Sequence, residues 1–303
     1  MNLNNLKYDW KNNKALLLMS IPGIVLLLLF AYYPMTGIVI AFQNYSLFQG
    51  IKGSEWIGFE NFMRFFEDPY FLRLLKNTLL LGFYNLLWSF PAPIILALLL
   101  NEVKNEKFKR ITQTISYMPY FVSVVIIVGL MRTLFASNGG IINTIIEFFG
   151  GSAVSFFNEP KYFRSLYIGS GIWQGIGYGS IIYLAAITGI DQELYEAAKV
   201  DGASRLRCVF SITIPCIIPT IAVLFTMNLG GIINVGFEKV LLMYSPATYE
   251  VADVISTYVY RKGMLGQDFG FASAVGLFNS IVSVIMLIAA NWFSRHVFEE
   301  SLW

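Results

Sequence analysis

The chain has 303 residues, of which 56% are hydrophobic and 13% charged, with a formal net charge of +2. A soluble domain of this length carries about twice that charged fraction, so the composition describes a polytopic membrane protein with no separate soluble domain. The small net charge gives no reason to expect nucleic acid as a partner.

Crossing the hydrocarbon core takes about 20 apolar residues, and six runs qualify: 15–41, 78–100, 115–136, 166–189, 217–236 and 272–293. Residues 1–14 form a polar, basic leader to the first run, and Pro22 with Tyr32-Tyr33-Pro34 leaves no small-residue cleavage site. That run therefore reads as a retained helix rather than a signal peptide. A soluble helical bundle would show a polar face every third or fourth residue, and Leu16–Phe42 shows none. Pro91, Pro93 and Pro119 fall in or beside runs, where they kink helices without ending them.

The loops set the orientation. With the N-terminus inside, the inner segments 1–14, 101–114, 190–216 and the C-terminal tail hold Lys7, Lys11, Lys14, Lys104, Lys107, Lys109, Arg110, Lys199, Arg205, Arg207 and Arg295. The longer outer segments hold fewer cations, and both termini come out cytoplasmic. Cys208 and Cys216 then lie near the reducing face as free thiols. Residues 58–76 alternate aromatic and charged side chains, as an interfacial helix would, and 237–271 suits either a loop near an external partner or packing on the chain's own helices.

Much chemistry is absent. No G-x-x-x-x-G-K-[ST] loop occurs to cradle ATP, and the one histidine, His296, lies in the tail, which removes Ser-His hydrolases and H-E-x-x-H metalloproteases. No zinc spacing occurs, so neither a metal nor a bound cofactor is expected. The spans are nearly free of carboxylates, which disfavours an ion-coupled carrier. What the spans do hold is uncharged: Asn85, Gln174, Asn228, Asn234 and Asn279, with Tyr84, Trp88, Trp173, Tyr178 and Tyr183 nearby. Amides in hydrocarbon must find partners. They serve either as interhelical hydrogen bonds or, as a set with Trp173, Gln174, Tyr178, Asn228 and Asn279 foremost, as the lining of a path for a neutral, hydroxyl-rich solute. Gly171, Gly175 and Gly179 share one helical face, which lets a neighbouring helix approach or widens such a path. Arg132, near a span end, is expected to snorkel to headgroups.

Between the fourth and fifth runs lies Glu196-Ala197-Ala198-Lys-Val-Asp201-Gly202, followed after nine residues by Ile212-Thr-Ile214-Pro215. This reproduces E-A-A-x3-G-x9-I-x-L-P with Ile214 for Leu. Leu194, Ala197 and Ala198 make a small apolar patch, Glu196, Lys199 and Asp201 stay solvated, and Gly202 permits a sharp turn or a contact too close for a side chain. Ile212, Ile214 and Pro215 lead back to the fifth run.

This pattern resembles the loop by which permease subunits of binding-protein-dependent ABC importers dock on their ATPase. Trp173-Gln-Gly175, Leu184-Ala-Ala-Ile and Glu193–Ala203 extend the likeness to carbohydrate-type permeases related to the maltose importer's membrane subunits. Gly58-Phe-Glu-Asn61-Phe62, Asn77-Thr78, Pro119 and Gly140-Ile-Ile-Asn143 fit as well, and Ile21-Pro-Gly, Tyr33-Pro-Met35, Ala290-Asn291, Ser294-Arg295 and Ser301-Leu302-Trp303 resemble the LplB-type polysaccharide branch. Asp191, where many sugar permeases carry Pro, and Ile214 are departures. The resemblance implies an all-α, six-helix type I permease domain over residues 15–303, with the coupling loop at about 190–216. It also implies a non-catalytic subunit of an oligosaccharide importer. Its partners would be a second, non-identical permease, two ATPase subunits that carry ATP and Mg, an extracytoplasmic solute-binding protein and membrane lipid. The alternatives are a permease for a non-sugar solute, or a membrane scaffold or sensor that uses the loop only for docking.

Overall fold

The computed structural model describes residues 13–297; most of the leader segment, together with Ser301-Leu302-Trp303, lies outside them. The described residues are mostly helical, with one antiparallel pair of two-residue strands, and they divide into two units, 13–67 with 261–277 and 68–260 with 278–297.

In chain order, α1 (Lys14–Leu27) continues through a π turn and a 3₁₀ stretch to Phe42. Strands β1 (Gln43–Asn44) and β2 (Glu55–Trp56) pair antiparallel, Gln43 opposite Trp56. Then come α2 (Glu60–Phe66), α3 (Phe71–Tyr84), α4 (Pro91–Glu102), α5 (Glu106–Tyr117), α6 (Val124–Leu134), α7 (Ile141–Phe148) and α8 (Pro160–Thr188). The rest of the chain builds α9 (Gln192–Val200), α10 (Arg205–Cys208), α11 (Ile214–Gly230), α12 (Phe237–Met243) and α13 (Phe269–Val297), whose first turns belong to the first unit.

Among the described residues, four stretches are long and apolar enough to cross a membrane: Lys14–Phe42, Phe71–Glu102, Arg205–Gly230 and Phe269–His296. The expected third span is not one straight helix. Pro119 cannot donate to the helical ladder, a 3₁₀ turn replaces it over Met118–Phe121, and the axis bends 102° before Ser123 caps α6. The 29 residues of α8 exceed the required length, but Gly, Ser, Gln and Tyr dilute their hydropathy.

In the first unit, α1 buries no side chain of its own. Its end is held by Asn61, which donates to Ala41 O and Gln43 O at 3.1 Å each. Arg64 bridges Asp268 at 2.7 Å and lies over Phe271. The interfacial helix expected at 58–76 is therefore two helices, parted at Glu67–Tyr70.

In the second unit, hydrocarbon surroundings remove the transfer gain of apolar burial, so close backbone approach and buried hydrogen bonds carry the packing. A Cβ on Gly177 would stand 2.0 Å from Ser116 O, and one on Gly82 would stand 1.9 Å from Ile232 O. These glycines let α8 meet the α5 end, and α3 meet the turn after α11. Asn77 donates to Glu250 O and Asp253 O, and Thr78 accepts from Ile255 N–H. Arg132, exposed near a span end, donates to Leu242 O at 2.7 Å and lies over Phe157. The 237–259 segment buries Val240, Met243, Ala252, Val254, Ile255 and Tyr258. It packs against the chain itself, the second of its two sequence readings.

Candidate functional site: a docking loop and an amide-lined groove

The docking loop is a short helix with defined ends. Asp191 accepts from Glu193 N–H at 3.0 Å and caps α9, so the departure from Pro supplies a cap instead. At the other end Gly202 has φ +77°, Gly202 N–H donates to Lys199 O, and Ala203 N–H donates to Ala198 O at 2.9 Å. This is a left-handed C-terminal stop of the kind glycine favours. The close contact expected at Gly202 is missing within this chain: a Cβ there meets nothing within 4 Å. Backbone conformation alone selects glycine.

The apolar patch is also revised. Leu194, Ala197 and Val200 lie three residues apart on the exposed side of α9, Val200 being 88% exposed, whereas Ala198 is half-buried on the side toward the bundle. Glu196 and Asp201 are exposed and form no ion pair within 4 Å among the described residues. Tyr195, which the motif does not flag, fastens the loop: its hydroxyl shares a 2.9 Å hydrogen bond with buried Thr213. Ile212 and Tyr195 pack on the cluster of Ala97, Tyr183, Ile187 and Ile217. Pro215 does not start a separate span. It lies in the continuous stretch Arg205–Gly230, where a π turn at Val209–Thr213 precedes it, so α9 is tied to a helical stretch long and apolar enough to cross a membrane.

The predicted path residues separate into groups. Asn228 lines two cavities, of about 300 Å³ and 220 Å³, that share it and Asn85. The larger adds Tyr167, Asn234, Gly231 and Gly236, and the smaller adds Ser89, Pro93, Gly179 and Tyr183. Asn279 stands behind Asn234 at 3.4 Å. Trp173 is two residues from Gly175, about 200° round the helix, and lines a separate apolar cleft with Ile127, Leu130 and Phe135. Gln174 donates to Val122 O at 3.1 Å and so closes the break in the bent span. The Tyr178 ring stacks on Tyr120 at 3.9 Å.

On the glycine face of α8, Gly171 meets the Lys239 ammonium, Gly179 meets Pro93, and Gly175 faces open space. In the sequence Lys239 counts only as one of the outer-segment cations, because it lies outside every apolar run. It is buried, at 8% exposure, donates to Tyr167 O at 2.8 Å, and sits 4.7 Å from the Tyr167 ring. Burial lowers its pKa to about 8. Cys208 and Cys216 are free, as expected.

An exposed, capped helix outside the apolar stretches, with amide-lined cavities among the helices, suits a membrane transport subunit. Residues 89–299 match the family described as binding-protein-dependent transport system inner membrane component, and the chain belongs to that family. It is 48% identical to the polygalacturonan/rhamnogalacturonan transport system permease protein YteP of Bacillus subtilis strain 168, over 96% of this chain and 90% of that one. It is 44% identical to protein LplB of the same organism, over 96% and 92%. In structure it matches a chain of a bacterial alginate ABC transporter in complex with an alginate pentasaccharide-bound periplasmic protein, with a TM-score of 0.90, 42% identity and 99% coverage of both chains. The permease fold anticipated from the docking motif is the one observed.

Proposed function

We propose that this chain is one half of the membrane passage of an ATP-driven importer for an oligosaccharide handed over by an extracytoplasmic binding protein. The observation that carries the reading is α9: an E-A-A-x3-G helix, capped at Asp191 and stopped at Gly202, with Leu194, Ala197 and Val200 bare and Tyr195 hydrogen-bonded to the long helix behind it. Such a lever transmits a partner's rigid-body motion into the bundle. ATP and Mg belong to two partner ATPase subunits, and a second, non-identical permease completes the passage. Six crossings follow if the bent pair α5–α6 and the less apolar α8 each count as one, with both termini cytoplasmic.

The groove shared by Asn85 and Asn228 is the part of the path this chain supplies, with Asn234 and Asn279 behind it. One N–H of the Asn228 amide donates to Leu224 O, which leaves the other N–H and the oxygen to pair with a sugar hydroxyl. Gln174 and Tyr178 shape the wall, and Trp173 faces the apolar cleft. The relatives' named cargoes, polygalacturonan, rhamnogalacturonan and alginate, are all polysaccharides. The test is uptake of labelled oligosaccharide by the reconstituted complex. Asn228→Leu is expected to lower uptake several-fold with assembly intact, whereas hydrolysis that proceeds in the wild-type complex with no sugar carried would sink the reading.

A further inference from the structure

Lys239 is a buried cation with no carboxylate within 4 Å among the described residues. Its partners are a carbonyl, that of Tyr167, and the Tyr167 ring. An ammonium withdrawn from water without an opposite charge is costly, so a buried cation beside a polar cavity is a candidate for meeting a ligand's charge.

Its position narrows the choice. Successive members of the α8 face are Tyr167, Gly171, Gly175 and Gly179. The first lines the larger cavity and the last lines the smaller. Gly175 between them faces open space, and at Gly171 a Cβ would stand 3.3 Å from the Lys239 nitrogen. Both cavities share Asn85 and Asn228, and no Asp, Glu, Lys or Arg lines either. The ammonium thus stands beside a groove whose other polar groups are amides and hydroxyls, and α8 keeps a bare glycine where a side chain would press on it.

We infer that Lys239 is the counter-charge for a carboxylate on the passing sugar, which makes the substrate class a uronate-bearing oligosaccharide. The inference rests on the importer reading and deepens it. Amides alone suit hydroxyls. A cation held against Tyr167, which lines the larger cavity, and next to Gly171 on the same face of α8 adds a charge-assisted contact that a neutral sugar does not use. The competing account is that Lys239 only ties α12 to α8 through Tyr167 O, which any hydrogen-bond donor of similar length would do.

The experiment uses ATP-loaded proteoliposomes holding the full importer, supplied with its binding protein and with trigalacturonate or its trimethyl ester. Each variant is scored against wild type for each sugar, which cancels delivery by the binding protein. Lys239→Gln keeps a donor without charge, and Lys239→Arg keeps the charge. Trigalacturonate uptake is expected to fall about tenfold in Lys239→Gln, equivalent to about 1.4 kcal/mol, and no more than about threefold in Lys239→Arg. Where wild type carries the ester, neither variant is expected to change its uptake. Unchanged trigalacturonate uptake in Lys239→Gln, or equal losses in both variants with co-purification intact, overturns the inference in favour of the tie. Wild type that carries a neutral oligosaccharide but no trigalacturonate overturns it too, and leaves the importer reading standing. Hydrolysis with no sugar carried at all sinks that reading and takes the inference with it.

Discussion

Gly202 stands in the left-handed region at φ +77° with open space where a Cβ would be, so its substitutions should rank by backbone cost rather than by side-chain size. An L-residue there costs roughly 1–2 kcal/mol, and Asn less than most. Substrate-stimulated ATP hydrolysis is therefore expected to fall in the order Gly, Gly202→Asn, Gly202→Ala, Gly202→Val. If Gly202→Ala already abolishes co-purification with the ATPase, the partner presses on this residue directly and size does matter. Tyr195 makes the complementary case. Tyr195→Phe removes the hydroxyl bonded to Thr213 but keeps the ring in its cluster, a loss of about 1 kcal/mol. The ATPase should still dock, because the exposed side of α9 is untouched, while uptake per ATP hydrolysed falls. Unchanged coupling in Tyr195→Phe would show that the link to the long helix carries no motion.

At the level of elements, α8 displays two uses of glycine in consecutive half-turns. Gly177 lies against Ser116 O, where a Cβ would come within 2.0 Å, and Gly175 has no neighbour within 4 Å. Gly177→Ala forces backbone apart and should cost about 1–3 kcal/mol, as overpacking does, lowering the thermal midpoint of the detergent-purified protein. Gly175→Ala should leave the midpoint unchanged or raise it, since Ala favours the helix by about 1 kcal/mol. Equal effects would mean that the two faces are not distinguished in the membrane. The sequence placed Gly171, Gly175 and Gly179 on one face, because helical spacing is local information. It could not show that Gly82 and Gly177 make the closest approaches, because those depend on which backbone arrives opposite. The helix that carries the E-A-A pattern was legible for the same local reason: its residues, stop and charge pattern all lie within one short segment. Lys239, Tyr195 and the pinning of Arg132 to Leu242 were not, since each is defined by a partner distant in sequence. The path residues divide along the same line. Residue type proposed Asn228 and Trp173 together, and only packing assigns them to different cavities.

For the whole molecule, sidedness decides whether the mechanism is possible. The chain has no phosphate-binding loop, so purified alone it should hydrolyse no ATP above background, and on the proposed reading its motor is reached through α9. ATP is cytosolic, which requires the exposed face of α9 to lie on the cytoplasmic side, as the basic residues of 101–114 and 190–216 imply. On the same topology the loop between β1 and β2, which follows the first span, presents Phe48, fully exposed, and should face outward. Single-cysteine reporters separate the two faces once Cys208 and Cys216 are replaced by Ala and Ser. In intact cells a membrane-impermeant maleimide should label Phe48→Cys and leave Val200→Cys unmodified, and permeabilisation should expose Val200→Cys to the same reagent. The opposite pattern would put the E-A-A helix where no ATPase has nucleotide, and no arrangement of the groove could then make this chain an ATP-driven importer.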